Sequence, residues 1–529
     1  MKDTPAEQRD PALLAGAAAG SGLGRQAVRG AFYGLATAGA TVPLGFLRAV
    51  LLARLLLPEH FGLMALAFFY VGLSAQLRAA ALGAALIHHP HPDEAMYRTY
   101  FSLRLGLSVL SVMLLIAAIP LLTRFYPTMP LLGWVILSLA GAEILRTLAF
   151  VQDSLLSRAM AFRTSAIADV TGSAAMTCVA PVLAWRGWGV WALVGEVVSG
   201  LVARTAYVWW TRPETRPRFG WDAAAARWFW QYARPSWLSS NLNFLREGFD
   251  DFWIGTFLGK EALGYYSRAY EFAGYPRRVV ATPIIDVFLP TFAQLQHDRL
   301  RLSQAYFRLT GLMVRFGFGV SLVLILTAPQ LIPLLLGARW LAMTLSFQLM
   351  VVYMLVDPLA GSSMYLLMAT GRTGLIARTQ AVQLLLFAPA VMLFSHWGGI
   401  AGVALAADLT AVTGAALLFH DTRQLVDYSL PALFGLPLLC LSATAAAVWA
   451  LGPLWAALPL WATLVTKVGV ISAGYAGLLW LTERDQLRIA WQVLGEHLAP
   501  SPLVTRIAAA LRVPLGTSRP TDADRGPEA

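Results

Sequence analysis

Apolar runs recur along almost the entire chain, separated by short polar connections. They lie near 30–53, 62–86, 99–122, 130–150, 166–185, 188–210, 236–258, 264–290, 306–329, 342–369, 376–396, 399–419, 431–451 and 457–481. A bilayer core roughly 30 Å thick is crossed by a helix of about 20 apolar residues. The pattern therefore predicts an all-α polytopic membrane protein with about 14 transmembrane helices. A polar tail, 482–529, follows the last run.

The connections alternate in charge. The first, third, fifth and seventh (LLPEHFG, RFYPTMP, WRGWG, LGKEALG) are short and poor in arginine. Even-numbered connections hold Arg158 and Arg163, then Arg212, Arg216, Arg218, Arg227 and Arg234, then Arg299 and Arg301, then Arg372, Arg378 and Arg423. Basic connections stay on the cytoplasmic side, so both termini are expected there, as an even number of spans requires. Arg25 and Arg29 precede the first span and hold the N-terminus inside. Residues 11–24 are small and apolar, with only Lys2 and Arg9 as basic residues before them. They read as a flexible tail, not as a cleaved signal peptide. In the C-terminal tail, Leu503, Ile507 and Leu511 line one face with Arg506 and Arg512 between. That pattern fits either a helix lying on the membrane surface or a weakly helical end, and the final residues read as disordered.

Composition agrees with this class. The chain is 57% hydrophobic and 13% charged, whereas soluble domains carry about 25% charged residues. The formal net charge is +11. Nucleic-acid binders gather basic residues on a soluble face; here they fall between apolar runs, so no nucleic-acid partner is expected. Cys178 and Cys440 sit far apart inside apolar runs and suggest neither a disulfide framework nor a metal site. The His88, His89 and His91 group lies in a proline-containing loop and reads as solvated. No glycine-rich phosphate loop is present, and no cofactor is expected.

Two pairs of segments resemble each other within the chain. Leu56–Gly62 (LLPEHFG) matches Leu258–Gly264 (LGKEALG) at Leu, Glu and Gly, and WGVWALVGEVVSGLV from Trp188 matches GGIAGVALAADLTAV from Gly398. Each pair relates one span to the span six later. The expected organisation is a tail at 1–28, a six-helix lobe at 29–210, an arginine-rich linker at 211–235, a second six-helix lobe at 236–420, two additional helices at 421–481 and a tail at 482–529. Transporters are often built from such repeats, with substrate bound near the midplane.

One apolar run carries four charges, Arg246, Glu247, Asp250 and Asp251, in NFLREGFDDFWIGTFLG. Facing lipid, four charges would cost on the order of 10 kcal/mol, and intramembrane charges usually face a hydrated path. The cluster therefore predicts a polar cavity. The i,i+4 spacing allows an Arg246–Asp250 ion pair and places Glu247 beside Asp251. A like-charged carboxylate pair suits proton or cation coupling; simple lining of the cavity is the alternative. Further charges inside the runs are Glu143 with Arg146, Asp169, Glu196, Arg204, Glu271, Asp286, Arg315, Asp357, Asp408 and Lys467. Glu143–Arg146 and Arg268–Glu271 have the spacing of local pairs, and most of the rest are expected to pair across helices. Pro276 is expected to break or kink the eighth span.

The segments LLARLLLPEHFGLMALAFFYVGLSAQLRAAALGAALI, LLSRAMAFRTSAI, WGVWALVGEVVSGLV and FLGKEALGYYSRAY, in this order, resemble the Wzx-type oligosaccharide flippases. These belong to the multidrug/oligosaccharidyl-lipid/polysaccharide exporter superfamily. The resemblance covers roughly residues 25–430 and leaves out the last two spans and the tail. It implies two six-helix lobes around a central cavity, plus two C-terminal helices, working by alternating access in the bacterial inner membrane. It implies as substrate an undecaprenyl-pyrophosphate-linked oligosaccharide, carried to the periplasmic leaflet for exopolysaccharide, capsule or lipopolysaccharide assembly. Membrane lipids surround such a protein, and a polysaccharide polymerase and chain-length proteins are the partners implied.

A diphosphate calls for arginine, whose planar fork gives two parallel hydrogen bonds and stays charged. Arg48, Arg78 and Arg268 lie in the first, second and eighth spans, the helices whose arginines serve the related lipid II flippases. The resemblance thus implies Arg48, Arg78 and Arg268 as diphosphate contacts, with Arg246, Glu247, Asp250, Asp251 and Glu271 balancing charge or coupling an ion. Structural pairing with carboxylates is the other reading of the arginines. Two rival functions remain: a cation-coupled drug or metabolite exporter, which calls for a carboxylate-dominated cavity, and a polysaccharide polymerase, which calls for a large periplasmic loop.

Overall fold

The computed structural model describes residues 11–78, 86, 93–212 and 219–484. Among these the long elements are all helices and no strand occurs. In chain order they are α1 Pro11–Leu55, α2 Pro58–Ala75, α3 Glu94–Phe125, α4 Leu132–Arg158, α5 Phe162–Trp185, α6 Val190–Thr211 and α7 Ala223–Trp253. There follow α8 Lys260–Ala273, α9 Thr282–Leu295, α10 Arg299–Leu335, α11 Thr344–Ala369, α12 Thr373–Thr422, α13 Leu436–Ala450 and α14 Leu460–Thr482. Nine helical segments among the described residues, from Ala36–Leu55 to Leu460–Thr482, are long and apolar enough to cross a bilayer. The chain is a multi-pass membrane protein. The histidine group at 88–91 and the amphipathic segment at 503–511 lie outside the described residues.

The structure departs from the expected elements in two places, each with a local cause. Helix α1 extends back to Pro11, through residues expected to form a flexible tail; this stretch is rich in alanine and leucine, the strongest helix formers. The run 264–290 is two helices, α8 and α9, joined by a π-helical turn at Arg277–Ala281 just after Pro276, because proline cannot donate to the ladder. The runs 376–396 and 399–419, both within α12, are two helices as expected, which meet at a non-helical turn at Gly399.

Gly399 has φ 53° and ψ −132°. Gly189, its counterpart in the internal repeat, caps α6 with φ 55° and ψ −128°. Residues with a Cβ are disfavoured at positive φ, so both copies of the repeat need glycine at the same turn.

The helices gather into two compact units. The first comprises Met1–Tyr275, Leu335–Leu349 and Leu384–Ala407; the second comprises Pro276–Leu334, Met350–Gln383 and Asp408–Ala529. In the first, α5 and α6 pack where Gly172 faces Gly200: a Cβ on Gly172 would lie 3.1 Å from the Gly200 carbonyl oxygen. Without water to drive them together, membrane helices associate closely where residues are small. Arg204 ties these helices to α4 through Asp153 (2.6 Å) and Asp169 (2.8 Å). Glu143 pairs with Arg146 at 3.0 Å, as their spacing implies.

In the second unit, Phe288, Phe292, Tyr306, Phe318, Leu366 and Phe419 form a buried core. Beside it Arg315 of α10 meets Glu483, next to the end of α14, in a two-pronged pair of 2.7 and 2.8 Å. Both side chains are only 5% exposed, and Tyr475 of α14 donates to the Arg315 carbonyl. Removing one member of a buried pair costs about 3–5 kcal/mol, whereas replacing both with apolar residues is often neutral. Glu483→Gln is therefore expected to lower the thermal unfolding temperature of the purified protein clearly, and Arg315→Met/Glu483→Leu to recover most of the loss. A single variant that melts like the parent contradicts this account.

Candidate functional site

In the first unit, α2 and α8 cross at their first turns, which are the two copies of the LxxE-containing repeat. A Cβ on Gly62 would collide with the Lys260 carbonyl oxygen and lie 2.8 Å from the Gly264 amide nitrogen; a Cβ on Gly264 would collide with the Pro58 carbonyl oxygen. The contacts are reciprocal, because Pro58 and Lys260 hold equivalent places in the repeat. Lys260 bridges to Glu59 at 2.6 Å and holds that carboxyl below the usual carboxylate range, chiefly by its hydrogen bond. The crossing fixes Phe61 of α2 beneath α8. The Arg268 guanidinium stands 4.5 Å from the centre of the Phe61 ring, a favourable cation–π placement.

Arg268 also forms an ion pair with Glu271, one turn on. Its Nε is buried with no hydrogen-bond partner. On α1, Arg48 reaches α6 and α5: its Nε lies 2.7 Å from Glu196 Oε1, and its second prong donates to Thr177 Oγ1 at 3.3 Å. The Glu196 carboxylate interacts electrostatically with Arg268 and Glu271 as well as with Arg48. Two ion pairs, Arg48–Glu196 between α1 and α6 and Arg268–Glu271 on α8, thus lie within electrostatic range of each other, and both arginines are largely buried at 16% and 21% side-chain exposure. Arg48 and Arg268 thus belong to separate ion pairs in the same unit. Arg78 ends a short 3₁₀ turn, Gln76–Arg78, after α2; its side chain lies outside the described residues.

The charged cluster of α7 is arranged differently from the spacing argument. Arg246 donates to Asn243 (3.2 Å) and Glu247 (3.3 Å), not to Asp250. Asp250 instead accepts from the Tyr266 hydroxyl of α8 at 2.7 Å and from the Asp251 amide at 3.0 Å. Spacing puts Arg246 and Asp250 on one face of the helix, but a hydroxyl from the neighbouring helix takes the carboxylate. Asp250 is thereby linked to α8 two residues before Arg268. Asp251 is half-buried beside it. Sequence reasoning counted Glu196 among the intramembrane charges without assigning it to the site. The available signal was its place in the repeated WGVWALVGEVVSGLV segment.

An arginine pair of this kind, set in apolar helices and already balanced by carboxylates, is suited to exchanging anions. A doubly charged phosphate ligand can take the guanidinium prongs while the carboxylates withdraw or bind a cation or proton.

Residues 51–345 match the family described as polysaccharide biosynthesis protein. The chain is 30% identical over 282 residues to the succinoglycan biosynthesis transport protein ExoT of Rhizobium meliloti (strain 1021), across 50% of this chain and 53% of that protein. That match spans about half the relative's length. The lipopolysaccharide biosynthesis protein WzxC of Escherichia coli (strain K12) is 23% identical over 390 residues, across 72% of this chain and 77% of that protein. Among solved structures, the lipid II flippase MurJ in an inward closed conformation superposes with a TM-score of 0.69 at 13% identity, covering 86% of this chain and 99% of that chain. The fold is that of these helical transporters, and the Wzx resemblance seen in the sequence holds.

Proposed function

The chain belongs to the polysaccharide biosynthesis protein family, and we propose that it flips an undecaprenyl-pyrophosphate-linked oligosaccharide to the periplasmic leaflet of the bacterial inner membrane. The movement would be by alternating access, with both termini cytoplasmic, and would feed exopolysaccharide, capsule or lipopolysaccharide assembly by a polysaccharide polymerase. The observation that carries this reading is the presence of two neighbouring ion pairs, Arg48–Glu196 and Arg268–Glu271, within apolar helices. Unpaired charge there is costly, so paired, rearrangeable charges fit a site that alternately holds and releases a diphosphate. Two arginines among these intramembrane ion pairs favour this over a cation-coupled drug exporter, which calls for carboxylates without them. In this reading Arg48, Arg268 and Arg78 contact the diphosphate, and Glu196 and Glu271 balance the arginines when it leaves. The decisive experiment is deletion: lipid-linked oligosaccharide is expected to accumulate on the cytoplasmic face. Export that continues undiminished overturns the proposal.

Glu247, Asp250 and Asp251 are proposed to gate the site or couple it to an ion, supported by the Asp250–Tyr266 bond that joins the acidic cluster to α8. With purified protein in vesicles, translocation is expected to respond to an imposed pH gradient or membrane potential, and Asp250→Asn to blunt that response. Translocation indifferent to both gradients eliminates coupling and leaves these residues as cavity lining.

A further inference from the structure

His60 stands at the third position of α2, where Leu57 is the N-cap and Pro58 the first helical residue. Glutamate or glutamine commonly fills that position, because its side chain reaches back to the N-cap amide. Here an imidazole does so: His60 Nδ1 accepts from the Leu57 amide at 3.2 Å. A ring nitrogen that accepts carries no proton, so the neutral ring holds its proton on Nε2. That nitrogen faces the start of another helix. A Cβ on Gly189, the N-cap of α6, would stand 3.1 Å from His60 Nε2.

The ring thus sits between the first turns of α2 and α6, beside the crossing of α2 with α8. The charged groups around it come from three elements. Glu59 precedes it on α2, and Lys260 of α8 bridges to Glu59 at 2.6 Å. Arg339, in the 3₁₀ turn Ala338–Met343 after α10, donates to the Leu56 carbonyl at 3.4 Å. The first turn of α6 holds no acidic residue and offers only the positive end of its helix. Burial pushes the imidazole pKa below its ordinary value; Glu59 opposes that shift and Lys260 adds to it. The fold therefore selects the neutral ring.

We propose that His60 is a proton-operated cap: the neutral ring holds the α2–α8 crossing closed, and the imidazolium releases it. In the imidazolium both ring nitrogens are donors. Nδ1 then presents a proton to the Leu57 amide, and the cap bond is lost. The new positive charge lies against the positive ends of α2 and α6 and competes with Lys260 for Glu59. These changes fall on the two first turns whose glycines, Gly62 and Gly264, meet the opposite backbone. The crossing places Phe61 beneath Arg268, so His60 is a positioning residue that acts on Arg268 through packing. Its link to transport rests on the flippase reading; the cap itself does not. The sign follows from linkage. The unfolded chain takes up this proton near pH 6.5, roughly the ordinary histidine value, and the folded chain resists it to lower pH. The cap's contribution to stability is complete above about pH 6.5 and is lost as pH falls through the folded value.

The test compares the purified full-length parent, His60→Gln and His60→Ala at about pH 8 and about pH 5.5, on either side of the histidine range. The readouts are thermal unfolding and hydrogen–deuterium exchange in the first turns of α2 and α8. Glutamine keeps the acceptor but takes no proton. At the higher pH the parent and His60→Gln should melt and exchange alike, and His60→Ala should melt lower. At the lower pH the parent should fall toward His60→Ala, and the first turn of α2 should exchange faster than in His60→Gln by about fivefold or more, the equivalent of one lost cap. Comparison at equal pH cancels the titration of every other group. If His60→Ala does not fold, the parent and His60→Gln carry the comparison. A difference between those two that is absent at both pH values, or equal at both, overturns the cap. Neither readout depends on transport, so that failure leaves the flippase reading standing.

Discussion

Arg48→Ala is expected to abolish glycan export at unchanged protein level, and Arg268→Ala to do the same. A hydrogen bond to a charged group contributes about 1.5–3 kcal/mol, and a two-pronged arginine–phosphate contact loses two at once. Transport should therefore fall by about a hundredfold or more if either arginine holds the diphosphate. A competing explanation predicts the same phenotype. Arg48 neutralises Glu196 at 2.7 Å, and removing one member of a buried pair costs about 3–5 kcal/mol through the charge left behind. The two explanations part in the double variants. Arg48→Ala/Glu196→Gln and Arg268→Ala/Glu271→Gln remove the stranded carboxylate along with its arginine. Melting temperature should recover in both, since no uncompensated charge remains. Export should stay lost, since the diphosphate still lacks its guanidinium. Restored export in either double variant overturns the diphosphate role of that arginine. Arg48→Lys should fall between, because lysine keeps the charge but not the planar fork.

How much of this was legible beforehand follows from what each signal depends on. Apolar runs are set by the bilayer, so the helical class and most span positions could be read directly from the chain. The break in the eighth span followed from Pro276, a local rule. The repeat was visible in weak identities and reappears as matching backbone angles at Gly189 and Gly399. Pairing across helices was not legible at the same level. Spacing put Arg246 and Asp250 on one face, yet Tyr266 from another helix holds Asp250. Glu196 was one intramembrane charge among many until the packing of α1 against α5 and α6 brought Arg48 to it.

Gly62→Ala and Gly264→Ala are expected to be among the most damaging single-methyl additions at the described glycines, with export lost and thermal stability lowered together. An added Cβ at either position meets a backbone carbonyl of the opposite helix, Lys260 or Pro58. A flexible side chain can swing aside, but a carbonyl in a helix's first turn moves only with the helix. Ordinary carbon contacts lie at about 3.5–4 Å, so the α2–α8 crossing must open. Overpacking costs typically about 1–3 kcal/mol and occasionally more; backbone on both sides puts these variants at or beyond the upper end. Opening would also draw Phe61 from under Arg268 and part Lys260 from Glu59, which links the steric defect to the proposed site. Gly141→Ala in α4 is the matched control, because a Cβ there meets nothing within 4 Å. Alanine is favoured over glycine by about 0.5–1 kcal/mol inside a helix, so this variant should melt at or above the parent and export normally. The signature also separates the crossing from the arginines: Gly62→Ala loses stability and export together, whereas Arg48→Ala/Glu196→Gln loses export alone. A Gly62→Ala protein that melts and exports like the parent would show that the crossing tolerates separation, and the reciprocal glycine contact would then have no part in holding Arg268 in place.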